Sequence, residues 1–416
     1  MIGSGSRKSS KRRHILGSHV QRQTRRIILA ALCAGLLLGL LGGGSRAAAQ
    51  MATLSPQAVK PLPGMPPVMD PTDLYSETVA GRFSPAVAGA LSRVYVPNRG
   101  SDDVYVINPE TFKVVDHFKV GPRPQHIVPS WDLATLWVAN NGHRGHLDGS
   151  LTPIDPRTGK PGRAISVEDP YNMYFLPNGR SAIVVAENRE RLDFRDPHSM
   201  VLQWTLWAPQ CPGINHGDFS IDGRYAIFTC EFRGGLVKVD LIKKRVLDFL
   251  KLSKGGMPQD IRISPDGKIF FVADMHADGV FLIDGGTFKE VGFIPTGLGA
   301  HGLYPSRDGK KLYVSNRGTH EMDGAPRGNG SVAVIDFASL KVEKIWPIPG
   351  GGSPDMGNVS ADGKLLWLSG RFDNVVYAID ITTGHVVKIP VGLEPHGLTV
   401  WPQPGRYSLG HTGNMR

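Results

Sequence analysis

From about residue 83 the chain alternates short apolar runs with polar, glycine-containing turns, and the alternation recurs. Runs such as "VYVPN" (94–98), "LWVAN" (136–140), "AIVVAEN" (182–188), "AIFTCE" (226–231), "FFVAD" (270–274), "LYVSN" (312–316) and "LWLSG" (366–370) are rich in β-branched and aromatic residues and too short for an amphipathic helix. Each follows another apolar run and a turn such as "SPDG" or "SADG", in which glycine supplies a positive φ. A third run ends in Asp or a near equivalent, as in "LVKVD" (236–240) and "VAVID" (332–336), and a fourth, of the kind "KEVGFIPTG", completes the unit. The pattern predicts four strands per unit.

The turn serine, or the residue in its place, falls at Ser130, Leu176, Ser220, Ser264, Ser306, Ser360 and Trp401, giving gaps of 46, 44, 44, 42, 54 and 41 residues. Four strands repeated with a period in the forties predict an all-β fold, a β-propeller, and seven such units predict seven four-stranded blades. The first strand of the N-terminal blade is expected from "HGLTVW" (396–401), which closes the ring and removes an exposed edge, with "VAGRFSPAVAGALSRVYVPN" (79–98) as the other source. The long gap marks an inserted loop, 317–331. The expected organisation is a leader at 1–49, a Pro-rich arm at 50–82, the propeller at 83–405 and a C-terminal tail at 406–416.

Charge changes the picture only once it is located. The net charge is +10, but residues 1–50 hold nine Lys/Arg and no Asp or Glu, so the remainder carries 10 − 9 = +1. A nucleic-acid partner is therefore not expected. The basic stretch is followed by the apolar run 27–41 and by "SRAAAQ", which suits signal-peptidase cleavage before Gln50. "TRRIIL" (24–29) resembles a twin-arginine export signal. The expected location is periplasmic or extracellular, with membrane contact only through the leader if it stays uncleaved. Cys33 lies in the leader. Cys211 and Cys230 remain, and in an oxidising compartment the pair permits a disulfide. A soft-metal site formed with His216 is the other use of these two sulfurs.

Candidate chemistry follows from the repeat. In a propeller the first strand of each blade lines the central channel. Counting back five and four residues from the turn serine gives the pairs Gln125/His126, Tyr171/Asn172, Asn215/His216, Gln259/Asp260, His301/Gly302, Asp355/Met356 and His396/Gly397. Four of the seven pairs hold a histidine, and the pairs are expected to ring the channel mouth. Neighbouring turns add Arg99, Arg233, Arg317 and Arg371. The ligand-binding candidates are thus His126, His216, His301, His396, Asp260, Asp355 and these four arginines. Imidazole suits Zn, Cu, Fe or Ni, and His216, His301 and His396 are the metal-ligand candidates. Strand alternation would point the residues at the two counts in different directions. No CxxCH haem-attachment motif, nucleophile elbow or phosphate-binding loop is present, so covalent c-type haem is not expected.

The motifs "LYVSN", "SPDGK" and "VAVID" make residues 83–405 resemble the YVTN-type seven-bladed β-propellers. The resemblance implies the fold and a range of functions: exported binding proteins, lactonases, a streptogramin lyase, and the haem- and quinone-associated propellers of periplasmic oxidoreductases. The expectation is an exported binding or accessory protein whose His/Arg/Asp-rich channel mouth holds a divalent metal, a non-covalent tetrapyrrole, a small anionic ligand or a protein partner. The alternatives are a metal-assisted lactonase- or lyase-like enzyme and an accessory subunit of a periplasmic oxidoreductase.

Overall fold

A computed structural model describes residues 60–322, 328–411 and 413–416. The leader expected at 1–49 lies outside them. Seven antiparallel sheets stand in a ring. Blade 4 shows the plan: Ile214–Phe219 innermost, then Tyr225–Cys230, Gly235–Asp240 and Arg245–Lys251 outermost. Burial falls along this radius. The innermost strand is buried at every residue, while the outermost is largely exposed. Between blades the apolar faces meet, as where Tyr174 and Ile183 pack with Phe219 and Phe228.

The ring closes as the repeat predicts. Thr399–Trp401 is the innermost strand of the first blade and pairs with Arg93–Asn98, with Tyr95 opposite Thr399 and Arg93 opposite Trp401. No sheet edge is left open at the junction between the two ends of the propeller.

The recurrent Ser-x-Asp-Gly turn has one local cause. The serine Oγ donates to the aspartate, at 2.6 Å for Ser264–Asp266 and Ser306–Asp308. It also accepts an amide from the start of the next strand, as from Ile269 at 2.9 Å. Gly267 closes the turn at φ +71°, a conformation most L-residues avoid.

Two segments cover the face that carries these turns. The arm before the propeller runs across it, with the Leu62 amide donating to Asp222 O and the Leu74 amide to Pro265 O, each at 2.7 Å. The segment from Arg406 to Arg416, read from sequence only as a tail, is built into the body. Tyr407, Ser408, Leu409, His411, Asn414 and Met415 are all buried. The Leu409 carbonyl accepts from the Phe175 amide at 2.9 Å, and the His411 amide donates to the Met173 carbonyl at 2.9 Å. The tail therefore docks against the innermost strand of blade 3, Pro170–Phe175, and closes the channel from below. Among the described residues no helix is long and apolar enough to cross a membrane.

Candidate functional site

The channel-lining residues are set by a repeated irregularity. Six of the seven innermost strands shift register where the paired positions lie: between Pro124 and His126, Pro170 and Asn172, Ile214 and Gly217, Pro258 and Ile261, Ala300 and Leu303, and Pro354 and Gly357. Such a bulge lifts one or two residues out of the ladder and re-aims their side chains. The freed backbone groups are met by hydroxyls of the second strand. Thr229 Oγ1 accepts from the His216 amide at 3.0 Å, and Ser315 Oγ accepts from the Gly302 amide at 2.8 Å.

The two counted positions consequently form two tiers. Five of the seven residues five before the turn serine reach the funnel: Gln125, Tyr171, Gln259, His301 and His396 line an open cavity of about 470 Å³. The residues four before it, including His126, Asn172, His216 and Asp260, are buried one step deeper. A third tier below is closed by the tail, with Arg416 Nη2 donating to Asp218 Oδ1 at 2.9 Å.

Asp355 organises the upper tier. Its Oδ1 accepts from Arg317 Nη2 at 2.7 Å and lies 3.0 Å from His301 Nδ1, while Oδ2 accepts from His396 Nδ1 at 2.7 Å. Arg371 Nη1 stands 3.7 Å from Oδ2. Burial alone would raise the Asp355 pKa, but Arg317 and the two imidazoles overcome it and hold the carboxyl well below the ordinary range. Burial pushes His396 down to about 3 despite its carboxylate partner, and His301 is likewise lowered, by burial and then by Arg317. Both imidazoles are neutral at ordinary pH. The Asp355 contact places the proton of His396 on Nδ1, so that Nε2, 3.4 Å from the Tyr171 hydroxyl, accepts.

The rim of the funnel is rich in guanidinium groups. Arg99, Arg123, Arg144, Arg189, Arg317 and Arg371 border the cavity, against the carboxyl groups of Asp169, Glu187 and Glu231. Asn215 Nδ2 lies between the last two, 3.4 Å from Glu187 Oε1 and 2.5 Å from Glu231 Oε2. Burial and the neighbouring Glu231 drive the Glu187 pKa well above its ordinary value.

The structure sorts the sequence candidates. It brings His301, His396, Asp355, Arg99, Arg317 and Arg371 to the funnel or its immediate floor. It places His126, His216 and Asp260 in the tier beneath. Arg233 does not line the funnel. Its guanidinium caps the Gln210 carbonyl at 3.2 Å and lies over the Phe249 ring on the outer strand, because Gly234 turns the backbone at φ +60° just after it. His216, named with His301 and His396 as a metal-ligand candidate, is one tier below them. Its ring instead packs against His126 and His411, with centroids 5.3 and 4.6 Å away. His411 was missed because "SLGHTGNMR" follows the last repeat and carries no blade periodicity. Its one signal is a histidine flanked by Gly410 and Gly413, ten residues after the closing strand. Arg123 was missed because it lies in the turn before an innermost strand, at φ +53°, rather than after a second strand where arginines were sought. The two cysteines form the expected disulfide, with Cα atoms 4.8 Å apart, and are therefore not paired thiolates for a metal.

Comparison with known proteins bears on the fold. No curated protein matches the sequence. Among solved structures, Kuenenia stuttgartiensis hydrazine synthase superposes with a TM-score of 0.56 at 20% identity, covering 66% of this chain and 88% of that one. The Pseudomonas aeruginosa periplasmic gluconolactonase PpgL gives 0.57 at 18% identity, covering 74% and 98%. The dihydro-heme d1 dehydrogenase NirN, solved in complex with DHE, gives 0.55 at 16% identity, covering 74% and 75%. At these identities the likeness is one of fold. The family model of the YNCE-like beta-propellers matches residues 61–404, and with seven closed four-stranded blades the chain belongs to that family.

Proposed function

We propose that this protein is an exported binding protein that holds a small anionic ligand, a carboxylate or phosphate compound, in its funnel. The observation that carries the reading is the ring of six arginines around a cavity of about 470 Å³, with Arg99, Arg189 and Arg317 held in position by Glu394, Glu168 and Asp355. Guanidinium groups recognise carboxylate and phosphate oxygens through paired hydrogen bonds. Asp355 fixes Arg317 in place before a ligand arrives, which lowers the ordering cost of binding. A carboxylated tetrapyrrole belongs to the same ligand chemistry, and NirN, a structural neighbour, was solved with DHE. Export is supported by the leader sequence and by the disulfide.

Catalysis is the second reading. Glu187, whose pKa burial and Glu231 raise well above the ordinary value, has the form of a proton donor, and one structural neighbour is a gluconolactonase. The base that would complete it is weak: His396, at about 3, lies far from the pKa near operating pH that favours general-base work. Binding is therefore the better supported activity.

Calorimetric titration of the mature protein with citrate, inorganic pyrophosphate and protoporphyrin IX tests the reading. Saturable binding of at least one, weakening as salt is raised and lost in Arg317→Ala, is expected. No binding by any of the three overturns it. Turnover of gluconolactone that disappears in Glu187→Gln would favour the second reading.

A further inference from the structure

We propose that His126, His216 and His411 form a metal site beneath the funnel, taking a borderline divalent cation such as Zn²⁺, Cu²⁺, Ni²⁺ or Fe²⁺ through three imidazole nitrogens. The three residues are completely buried. One ring nitrogen from each lies within 4.8 Å of the others. Three nitrogens held at roughly 2.1 Å around a tetrahedral ion stand about 3.4 Å apart, so ring rotations close the remaining distance. The donor set is all imidazole, which suits these ions and not Mg²⁺ or Ca²⁺.

Three independent features point to a ligand here. Neither ring nitrogen of His126, nor Nε2 of His216, has a hydrogen-bond partner among the described residues, although both side chains are inaccessible to solvent. Buried polar groups are seldom left in that state. Second, the Asn172 amide nitrogen stands 3.1 Å from His216 Nδ1 and 2.9 Å from His411 Nδ1. Two imidazole nitrogens from different parts of the chain thus converge on one point, which the Asn172 side-chain amide holds and would yield to a cation by turning about its side-chain bonds. Third, His411 Nε2 lies 3.2 Å from Asp260 Oδ1. A carboxylate behind a histidine fixes the tautomer and leaves the other nitrogen as ligand, the arrangement that supports metal-bound histidines generally.

The chain is also shaped for this approach. A Cβ on Gly397 would fall 2.0 Å from His126 Nδ1, so only glycine there admits the ring. The same holds at Gly410, where a Cβ would meet the Tyr174 Cα at 2.5 Å and keep the tail from delivering His411. The site communicates with the funnel, because the His126 ring packs 4.8 Å from His396 and 5.3 Å from Tyr171, both of which line the cavity. Three histidines leave a coordination position for water or an exogenous anion. The nearby carboxylates already face guanidinium groups, Asp260 with Arg262 at 3.2 Å and Asp355 with Arg317 at 2.7 Å, so a bound dication calls for an anion such as hydroxide or chloride at that position.

The test is metal loading of the whole mature protein with Co²⁺ alone, after chelator dialysis, in chloride buffer without any funnel ligand. Expected are one equivalent of bound Co²⁺ by elemental analysis, a visible absorption band of nitrogen-ligated Co²⁺, and a higher Tm. His411→Ala should lose the band and at least 10-fold in affinity. His126→Leu, which keeps an apolar filling, should do the same if the tail variant fails to fold. The double variant His276→Ala/His320→Ala removes an exposed histidine pair and should keep the full equivalent. Less than a fifth of an equivalent in the unaltered protein, or an undiminished band in folded His411→Ala or His126→Leu, overturns the proposal. Because no anionic probe is present, failure here leaves the funnel reading to its own titration.

Discussion

The two ends of the central channel are built oppositely. The upper end is an open, arginine-rimmed funnel whose buried carboxylate, Asp355, serves two imidazoles and two guanidinium groups. The lower end is filled by the chain itself, with Tyr407, Leu409 and Met415 inserted and Arg416 locked to Asp218. The seven blades are near-equivalent, so this difference does not come from the repeat. It comes from the rim loops above and from eleven residues, 406–416, that follow the closing strand. The repeat supplies a rigid ring, and the departures from it decide what enters.

The largest expected effect breaks the lower end. Truncation after Gly405 removes three apolar side chains, Tyr407, Leu409 and Met415, that are each at most 3% exposed, and at roughly 1.5–3 kcal/mol apiece the loss is about 5–9 kcal/mol. A lowered urea midpoint measures it, and an unchanged midpoint would mean the tail is dispensable to the body. Asp355→Ala strikes the upper end and should cost about 3–5 kcal/mol, because buried guanidinium groups lose their counter-charge. The same denaturation series reports it, and anion binding should fall with it. Cys211→Ser/Cys230→Ser opens a link between residues 19 apart and should cost about 3 kcal/mol, read as a Tm that matches the unaltered protein under reducing conditions.

Acidification sharpens the comparison because both ends contain neutral, buried histidines. The unfolded chain protonates histidine near 6.5, whereas the folded chain holds His396 to about 3 and lowers His126, His216, His301 and His411 as well. Between those limits the unfolded state binds more protons. Stability is therefore complete above about pH 7 and falls on acidification, by ~1.4 kcal/mol per pH unit for each histidine that resists protonation. Scans of Tm from pH 7.5 to 4 check the slope, and His396→Gln should reduce it by one histidine's share. The smallest effect separates rim arginines. Arg123→Gln should weaken anion binding about 10-fold, the loss of a charge-assisted hydrogen bond, while Arg233→Gln, whose guanidinium lies over Phe249, should change it less than twofold.

The scaffold was legible because a strand-length repeat with Ser-x-Asp-Gly turns leaves few architectures, and even the closing strand announced itself as an extra "HGLTVW". The tiers were half legible. Alternation warned that His301 and His396 would part from His126 and His216, but ideal alternation does not foretell a bulge that sends both sets inward at different depths. The third buried histidine was hidden, since a segment with no periodicity gives no clue that it threads into a channel beside residues such as Asn172, 239 positions away.

Thr399–Trp401 completes the circle, and ten residues further along the chain His411 is seated against Met173 and Tyr174 of another blade. The three imidazoles at the heart of the molecule come from two blades and from the segment beyond the closing strand, so they meet only where stretches far apart along the chain are held together. The deep cluster thus works as a knot between chain ends: a cation seated there would clamp two innermost strands and the final segment at a single point.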